Sequence, residues 1–258
     1  MGSGDAMNAS ESARLHQIQL QRSYYANTAH RYESMHLHED DEHSFALRFM
    51  ISVVRHLGIK SVLDIGSGTG RCLAQIVREM PDVAVVGVEP SAQLREVGYS
   101  KGLTETQLID GDAMKLTFPD HSFDLVCEFG ALHHIPLPSR AVAEMLRVSR
   151  KAIFISDANN FGQGRRLSRL LKQAVNAFGL WPLADFIKTR GKRYTISDGD
   201  GLAYSYSVFN NYQQIREKCE SIHLLNTTDA GPDIYRSASH VALLGIIRRI
   251  QTAAPAPQ

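Results

Sequence analysis

Hydrophobic runs and amphipathic stretches alternate along the middle of this 258-residue chain. Short apolar runs bounded by turn residues predict buried strands, and the segments between them have helical spacing. The predicted strands are 61–65, 83–88, 105–110, 123–128 and 151–156. Strands that alternate with helices predict an α/β fold with a parallel sheet, in which ligands bind at the carboxyl ends of the strands.

Helices are predicted before this sheet and two further strands after it. Residues 10–32 predict one helix. The residues D-D-E-H at 40–43 open a second helix, which ends at Gly58. The second helix carries Phe45, Phe49, Val53 and Leu57 on one face. Residues 221–226 and 240–247 predict an antiparallel pair that closes the sheet.

We therefore predict one domain over residues 10–250, with an N-terminal helical cap at 10–57 and an insert at 157–210 that follows the fifth strand. The small and polar residues 1–9 are predicted to be disordered or left over from an expression tag. The Pro/Ala-rich residues 251–258 are predicted to be a disordered tail.

The first predicted strand runs into a glycine-rich turn, and residues 61–70 read S-V-L-D-I-G-S-G-T-G. Glycines at such a turn let backbone N–H groups approach a ligand, and the next helix presents its positive end there. A dinucleotide-binding turn requires a glycine at the position of Arg71, so a nicotinamide oxidoreductase is disfavoured.

An acid two residues before G-x-G-x-G resembles motif I of class I S-adenosylmethionine (SAM)-dependent methyltransferases, of the small-molecule, type 11-like group. The resemblance extends to Glu89 at the end of the second strand, to G-D-A-M at 111–114, and to residues 118–136 around the fourth strand. It implies a Rossmann-like, seven-stranded sheet that is mostly parallel with its last strand antiparallel. It also implies an N-terminal helical lid and a helical insert after strand five.

The same resemblance implies SAM as cofactor and assigns parts of it to single residues. Asp64 and the glycines hold the methionine end, Glu89 the ribose, and Asp112 and Ala113 the adenine, whose ring Pro90 and Met114 flank. The candidate SAM-binding residues are Tyr25, Asp64, Gly66, Ser67, Gly68, Gly70, Glu89, Pro90, Asp112, Ala113, Met114 and Glu128. Taken singly, each acid also fits a turn cap or a solvated strand end.

Methyl transfer needs a general base when the acceptor is a hydroxyl. His133 and His134 follow the fourth strand, and only one of two adjacent histidines is expected to face a pocket. His43, at the entry to the core domain, is a weaker catalytic candidate. We predict O-methylation of a sugar or natural-product hydroxyl with histidine-assisted deprotonation, with N- or C-methylation of a small molecule as the alternative.

Two other functions stay open. A magnesium-dependent O-methyltransferase would use Glu128, Asp157 and Asn159 or Asn160 as oxygen ligands, and a non-catalytic SAM-binding protein would keep only the glycine turn. We predict no metal. Nucleic acid is not an expected partner, because residues 127–130 lack the N/D-P-P-Y type motif and the net charge is only +1.

The insert predicts an acceptor-binding cap. Residues 161–193 contain eight basic residues and a single acid, Asp185, which is a local excess of seven positive charges. Leucines repeat in the same segment at helical spacing. We therefore expect an anionic or amphiphilic small-molecule acceptor, with a merely solvated charged face as the alternative. The candidate acceptor-binding residues are Arg165, Arg166, Tyr204 and Tyr206.

Composition points to the cytoplasm. Cys72, Cys127 and Cys219 lack the spacing of metal ligands, and Cys72 and Cys127 lie where buried residues are expected, which is typical of reduced thiols. No apolar run reaches the length of a transmembrane segment, and the N-terminus lacks the apolar core of a signal peptide. The sequence alone predicts no oligomeric state.

Overall fold

The computed structural model describes residues 3–33, 41–228 and 231–248. The strands are β1 (Ser61–Ile65), β2 (Ala84–Val88), β3 (Leu108–Ile109), β4 (Phe123–Phe129), β5 (Ser149–Ala158), β6 (Tyr194–Ser197), β7 (Gly201–Tyr204), β8 (Cys219–Asn226) and β9 (His240–Ile247). Seven of them form one sheet in the order β3-β2-β1-β4-β5-β9-β8, whereas β6 and β7 form a separate hairpin. The sheet is parallel except for β9, which is antiparallel to both of its neighbours. This is the predicted Rossmann-like sheet.

Helices cover both faces of the sheet. They are α1 (Ser3–Thr28), α2 (Glu42–His56), α3 (Arg71–Glu79), α4 (Ala92–Ser100), α5 (Pro138–Val148), α6 (Arg166–Ala177), α7 (Trp181–Lys188), α8 (Tyr212–Lys218) and α9 (Ile234–Ser237). Short 3-10 helices lie at Ala29–Arg31, Leu132–His134 and Val208–Asn211. In the described parts of the chain, no helix is both long enough and apolar enough to span a bilayer.

Two hydrophobic clusters hold the layers together, one on each face of the sheet. On one face, Leu47 and Met50 of α2 and Leu73 of α3 pack against β1 and β4. On the other face, Met145 of α5 and Ile215 of α8 pack against the same strands and β9. Such close-packed layers fix the strand ends relative to one another, and the strand ends carry the candidate site.

The strand predictions are confirmed within a few residues, although β3 is only two residues long. On α2, Leu47, Met50 and Val54 are buried and pack on the sheet. On the predicted apolar face, Val53 and Leu57 pack against the same cluster, whereas Phe45 and Phe49 are partly exposed. The structure starts α1 at Ser3 rather than near Ser10. The predicted tail at 251–258 lies outside the described residues.

Candidate functional site

The turn after β1 is built on glycines. Gly66 has a φ of 65°, and a Cβ added there would lie 2.4 Å from the Cβ of Ala131. A Cβ on Gly68 would lie 3.1 Å from the hydroxyl of Tyr32. Glycine is therefore needed at both positions because Ala131 and Tyr32 pack closely on the turn, and Gly66 lines a cavity on each side of it.

The first of these cavities, which we call the slot cavity, has a volume of ≈ 130 Å³. Its apolar walls are Val88, Pro90, Leu94, Met114 and Ile135. Its remaining lining includes Gly66, Gly68, Glu89, Asp112, Ala113 and, from α1, Ile18, Gln21, Arg22 and Tyr25. An apolar slot with a few polar groups at its edges is typical of a small-ligand site.

Two acids stand at the edges of the slot cavity. Glu89 is buried, and its two carboxylate oxygens accept the backbone N–H groups of Gly68 at 3.0 Å and Ser91 at 2.8 Å. Each oxygen keeps a second lone pair for a ligand hydroxyl. Burial raises the pKa of Glu89 to about 7. Asp112 is exposed and accepts the backbone N–H of Met114 at 2.8 Å, which orders the G-D-A-M turn.

The second cavity, which we call the histidine cavity, has a volume of ≈ 360 Å³. It shares Tyr25, Tyr32, Gly66, Phe129, Gly130 and His134 with the slot cavity. Its other lining residues are Asp41, Glu42, His43, Leu47, Asp64, Ser67, Thr69, Arg71, Cys72, His133, Asp200 and His240. The two cavities therefore meet at the glycine turn, with apolar walls on one side and ionisable groups on the other.

Asp64 lies where the histidine cavity begins. Its carboxylate accepts the hydroxyl of Ser67 at 2.7 Å and contacts the thiol of Cys127 at 3.7 Å. Burial raises the pKa of Asp64 to about 7, and the hydrogen bond from Ser67 only partly offsets this effect. A cationic ligand group beside Asp64 would favour its ionised form.

His133 is held by two carboxylates from other parts of the chain. Its Nδ1 lies 2.7 Å from Oδ1 of the buried Asp157 on β5, and its Nε2 lies 3.6 Å from Asp200 in the β6–β7 turn. Burial alone would lower the pKa of His133, but Asp157 and Asp200 outweigh burial and raise it well above the usual value. Asp157 also accepts the backbone N–H of Leu132 at 2.8 Å, which fixes this short 3-10 helix on β5.

The other two candidate histidines have different surroundings. Nδ1 of His134 lies 2.7 Å from the carbonyl oxygen of Leu202, and its Nε2 lies 3.4 Å from Asp200. Nδ1 of His43 lies 3.0 Å from the hydroxyl of Ser156. Burial lowers the pKa of His43 to about 4, so this side chain is uncharged at neutral pH. All three candidate histidines line one cavity, contrary to the expectation that only one of the adjacent pair would do so.

Tyrosines of the N-terminal segment cover the junction of the two cavities. The ring centroids of Tyr25 and Tyr32 lie 5.8 Å apart, and Tyr25 lies 5.9 Å from His134. Burial raises the pKa of both phenols, so they stay neutral and hydrogen-bonding. Tyr24 instead donates its hydroxyl to the carbonyl of Asp198 and lines neither cavity.

A third cavity, which we call the outer cavity, lies between α7 and the β6–β7 hairpin and has a volume of ≈ 210 Å³. It shares His133, Asp200 and His240 with the histidine cavity. Tyr204 and Tyr206 line it, as an acceptor-binding role would require. Their hydroxyls are bonded internally, to Gln17 at 2.8 Å and Asn211 at 3.0 Å.

Some predicted site residues lie away from these cavities. Gly70 caps α3 with a φ of 79°, and a Cβ there would lie 2.2 Å from Leu103, so the missing side chain lets helix and loop pack closely. Glu128 is buried beneath the site, where its carboxylate accepts the backbone N–H of Ala131 at 2.9 Å. Arg165 and Arg166 are exposed at the start of α6 and line none of the three cavities.

The proposed magnesium ligands do not converge on a cavity either. The side-chain amide of Asn159 donates to the carbonyls of Tyr235 at 2.8 Å and Ala238 at 2.9 Å, and its oxygen accepts from Ser207 at 2.9 Å. Asp157 is occupied by His133 and backbone N–H groups. These two side chains therefore hold loops and a histidine.

Several residues of the histidine cavity were not expected from the sequence, among them Asp200, His240 and Arg71, which are charged or ionisable. Asp200 lies in the turn between β6 and β7, two strands that the sequence does not predict, and His240 begins β9 and lies 3.3 Å from Glu42. Arg71, noted only as the residue that breaks the dinucleotide pattern, forms an ion pair with Asp41 at 2.7 Å. Their positions at a turn or an element end are the only sequence signal, because the contacts themselves span distant segments.

Comparison with known proteins gives sequence matches over the same region. Residues 63–154 match the family described as "Methyltransferase domain". A demethylmenaquinone methyltransferase of Roseiflexus sp. (strain RS-1) is 37% identical over 89 residues, which cover 34% of this chain and 37% of that relative. A phosphatidylethanolamine N-methyltransferase of Cereibacter sphaeroides is 34% identical over 122 residues, or 45% of this chain and 59% of the relative. The chain therefore matches about two fifths to three fifths of the length of these curated relatives.

Solved structures share the fold over a larger part of the chain. A SAM-dependent methyltransferase from Thermotoga maritima, described as a possible histamine N-methyltransferase, has a TM-score of 0.55 at 19% identity and covers 88% of this chain and 99% of its own. A SAM-dependent methyltransferase from Methanococcus maripaludis, described as "putative", has a TM-score of 0.51 at 15% identity, with 88% and 93% covered. These two structures share the fold of this chain. Together with the domain match over residues 63–154 and the sheet order, they support its assignment to the class I SAM-dependent methyltransferases.

Proposed function

We propose that this chain transfers the methyl group of SAM to an oxygen atom of a small polar acceptor. The observation that carries the proposal is the junction at Gly66, where an apolar slot edged by two acids opens into a cavity that contains the His133–Asp157 pair. Such a junction brings a nucleotide-shaped site next to a proton-accepting group.

The slot cavity fits the adenosyl part of SAM. The apolar walls from Pro90 and Met114 suit an adenine ring, Asp112 stands at the slot edge as an acceptor for an amino group, and Glu89 presents two oxygens to a diol. Gly66 and Gly68 line the slot cavity without side chains, which suits the link to the methionine end. When bound, SAM supplies a methyl carbon whose bond to sulfur breaks as the acceptor oxygen forms its own bond to that carbon.

Asp64 and the tyrosines complete the cofactor site. The buried carboxylate of Asp64 is suited to an ammonium group, and its elevated pKa favours exchange of a proton for such a cation. The faces and edges of Tyr25 and Tyr32 shield the junction from water, and aromatic rings stabilise neighbouring cations. The chain's own contribution to catalysis is thus alignment and exclusion of water.

His133 is the proposed general base. Asp157 holds the ring by Nδ1, so that Nε2 is the atom that takes the acceptor's hydroxyl proton. In the resting arrangement Asp157 and Asp200 favour the imidazolium form and raise its pKa, so the base appears only as pH rises. A hydroxyl-rich acceptor suits this cavity better than an anion, because Glu42, Asp64 and Asp200 also line it.

N-methylation is the second candidate. Two similar proteins are described as a phosphatidylethanolamine N-methyltransferase and a possible histamine N-methyltransferase. In this chain, the carboxylates of Glu42, Asp64 and Asp200 at the histidine cavity would also attract an amine. The two candidates differ in the atom that carries the transferred methyl group.

The test is a screen with methyl-labelled SAM against paired hydroxyl and amine acceptors, followed by identification of the labelled atom. Calorimetry against SAM and NAD checks the cofactor first, and binding of NAD alone would contradict the proposal. His133→Gln should then lower kcat by about 10²- to 10⁴-fold with little change in SAM affinity. The matched control is His223→Gln, which changes a histidine on β8 outside the three cavities. A labelled nitrogen would replace the O-methylation proposal by the second candidate.

A further inference from the structure

Helix α6 presents its polar side to the protein and its apolar side to solvent. On the inner side, Arg169 donates to the carbonyl of Ser237 at 3.2 Å, and Gln173 donates to the carbonyl of Phe161 at 3.0 Å. Lys172 donates to the carbonyl of Gln163 at 2.9 Å. No residue of α6 is buried. The usual orientation of an amphipathic helix on a globular domain is therefore reversed.

The outward side of α6 and α7 forms a continuous apolar stripe. Leu167, Leu170, Leu171 and Phe178 are between 62% and 80% exposed, and their spacing places them on one side of α6. The stripe continues through α7 with Leu180, Leu183 and Ile187, which are between 52% and 67% exposed. We call these seven residues the inverted face. Scattered exposed leucines are ordinary, but seven within 21 residues are a contiguous patch that marks an interaction site.

The exposed charged residues of the segment 161–193, which carries the inverted face, are all basic. The exposed basic residues that flank it are Arg165, Arg166, Lys188, Arg190, Lys192 and Arg193. The single acid between 161 and 193, Asp185, is buried. An apolar stripe rimmed by basic residues is the pattern of a helix that lies in a membrane interface and contacts anionic headgroups.

We propose that the inverted face docks on the surface of an anionic phospholipid bilayer. The apolar residues enter the boundary between headgroups and acyl chains, and the basic rim contacts lipid phosphates. A second copy of this chain fits less well, because a symmetric contact would bring the two basic rims together and they would repel each other.

Docking in this way orients the outer cavity. Asp185 and Lys188 of α7 and Thr189 at its C-terminal end line that cavity, which continues to His133 and Asp200. A bilayer seated on α6 and α7 would therefore border the route to the proposed base. If the proposed methyl transfer holds, an acceptor that resides in or on the membrane can reach His133 by this route.

The test is sedimentation of the full chain with vesicles of one part phosphatidylglycerol to three parts phosphatidylcholine, and with vesicles of pure phosphatidylcholine. We expect binding to the anionic vesicles at least tenfold tighter than to the neutral ones, and weakened severalfold by 0.5 M salt. The triple variant Leu167→Ser, Leu170→Ser, Phe178→Ser should lose at least tenfold in vesicle binding. These side chains are exposed, so folding and SAM affinity should be unchanged.

A matched control changes exposed apolar residues outside the inverted face, as Leu15→Ser, Val77→Ser, Ile196→Ser. This control should bind vesicles like the unmodified chain. Absence of binding to anionic vesicles, or equal loss in both variants, overturns the proposal. A concentration-dependent dimer that the triple variant abolishes, without any vesicle binding, overturns it in favour of a second copy. SAM affinity, measured in parallel, shows separately whether the proposed cofactor site fails.

Discussion

The slot cavity and the histidine cavity share a wall but are built in different ways. Apart from Tyr32 and the side chains that α1 contributes, the slot cavity takes its walls from residues 66–136, a stretch of consecutive strand ends and turns. The histidine cavity joins Asp41 and His43, the turn after β1, Asp200 and His240, which lie far apart in sequence. The slot cavity is defined mainly by its apolar walls, whereas the histidine cavity is defined by ionisable groups, whose charges influence one another.

This difference indicates which property each cavity should lose when one of its residues is substituted. A cavity with apolar walls tolerates side-chain changes except at the few groups that meet the ligand. A balance of charges changes as a whole when one member is removed, because its members set each other's protonation state. Substitutions in the slot cavity should therefore act on affinity, and substitutions in the histidine cavity on rate and its pH dependence.

The largest expected effect on the slot cavity follows from Glu89→Ala. This change removes both carboxylate oxygens from a buried site and should weaken SAM by about 1–3 kcal/mol, or roughly 5- to 150-fold in Kd. Calorimetry with SAM measures it. Glu79→Ala is the control, because Glu79 is the last residue of α3, where its carboxylate pairs with Arg55 of α2. An unchanged Kd in the Glu89 variant would remove Glu89 from the proposed site.

A smaller effect should appear when pH is varied with the unmodified chain. Burial raises the pKa of Asp64 to about 7, and a cationic ligand group needs the ionised form. The ionised fraction grows as pH rises, so SAM affinity should increase roughly eightfold between pH 6 and 7.5 for one such group. Asp64→Asn should flatten this dependence. If the slope persists in that variant, Glu89, whose pKa is likewise raised to about 7, is its source.

Asp200→Asn should shift the pH profile of turnover with a modest change in its maximum. Asp200 helps to raise the pKa of His133, so its loss lowers that pKa and the deprotonated base appears at lower pH. In the unmodified chain, kcat/KM should rise with pH above neutrality. Asp198→Asn, in the same turn but exposed, should leave the profile unchanged. Coincident profiles for all three proteins would remove Asp200 from the charge balance.

Chelation should have the smallest effect, since we predict no metal requirement. Turnover should survive EDTA and show no stimulation by magnesium, because Asp157 and Asn159 are engaged in internal hydrogen bonds. Lost turnover that a divalent ion restores would contradict this prediction. It would direct attention to His133, His134 and Asp200, whose ligand atoms lie within 4.8 Å of one another.

The same contrast explains how much the sequence predicts. The slot cavity could be anticipated because Glu89 and Asp112 each follow a predicted strand, and strand ends meet at one edge of a parallel sheet. The partnership of His133 with Asp157 and Asp200 could not, because the β6–β7 hairpin that carries Asp200 has no pattern tying it to β4. Spacing shows that an apolar stripe exists but not which side faces the protein. The orientation of α6 was therefore unpredictable.

The β6–β7 hairpin is tied to α1 by a few polar contacts. Gln21 accepts the backbone N–H of Leu202 at 2.6 Å, Gln17 accepts the hydroxyl of Tyr204, and Tyr24 donates to Asp198. Elements joined by a few polar contacts separate at lower cost than close-packed layers do. Because α1 covers the slot cavity and the hairpin carries Asp200, one opening event would release both reaction products. The rate of that event would set an upper limit on turnover, and slower amide exchange at Leu202 with both ligands bound would report on it.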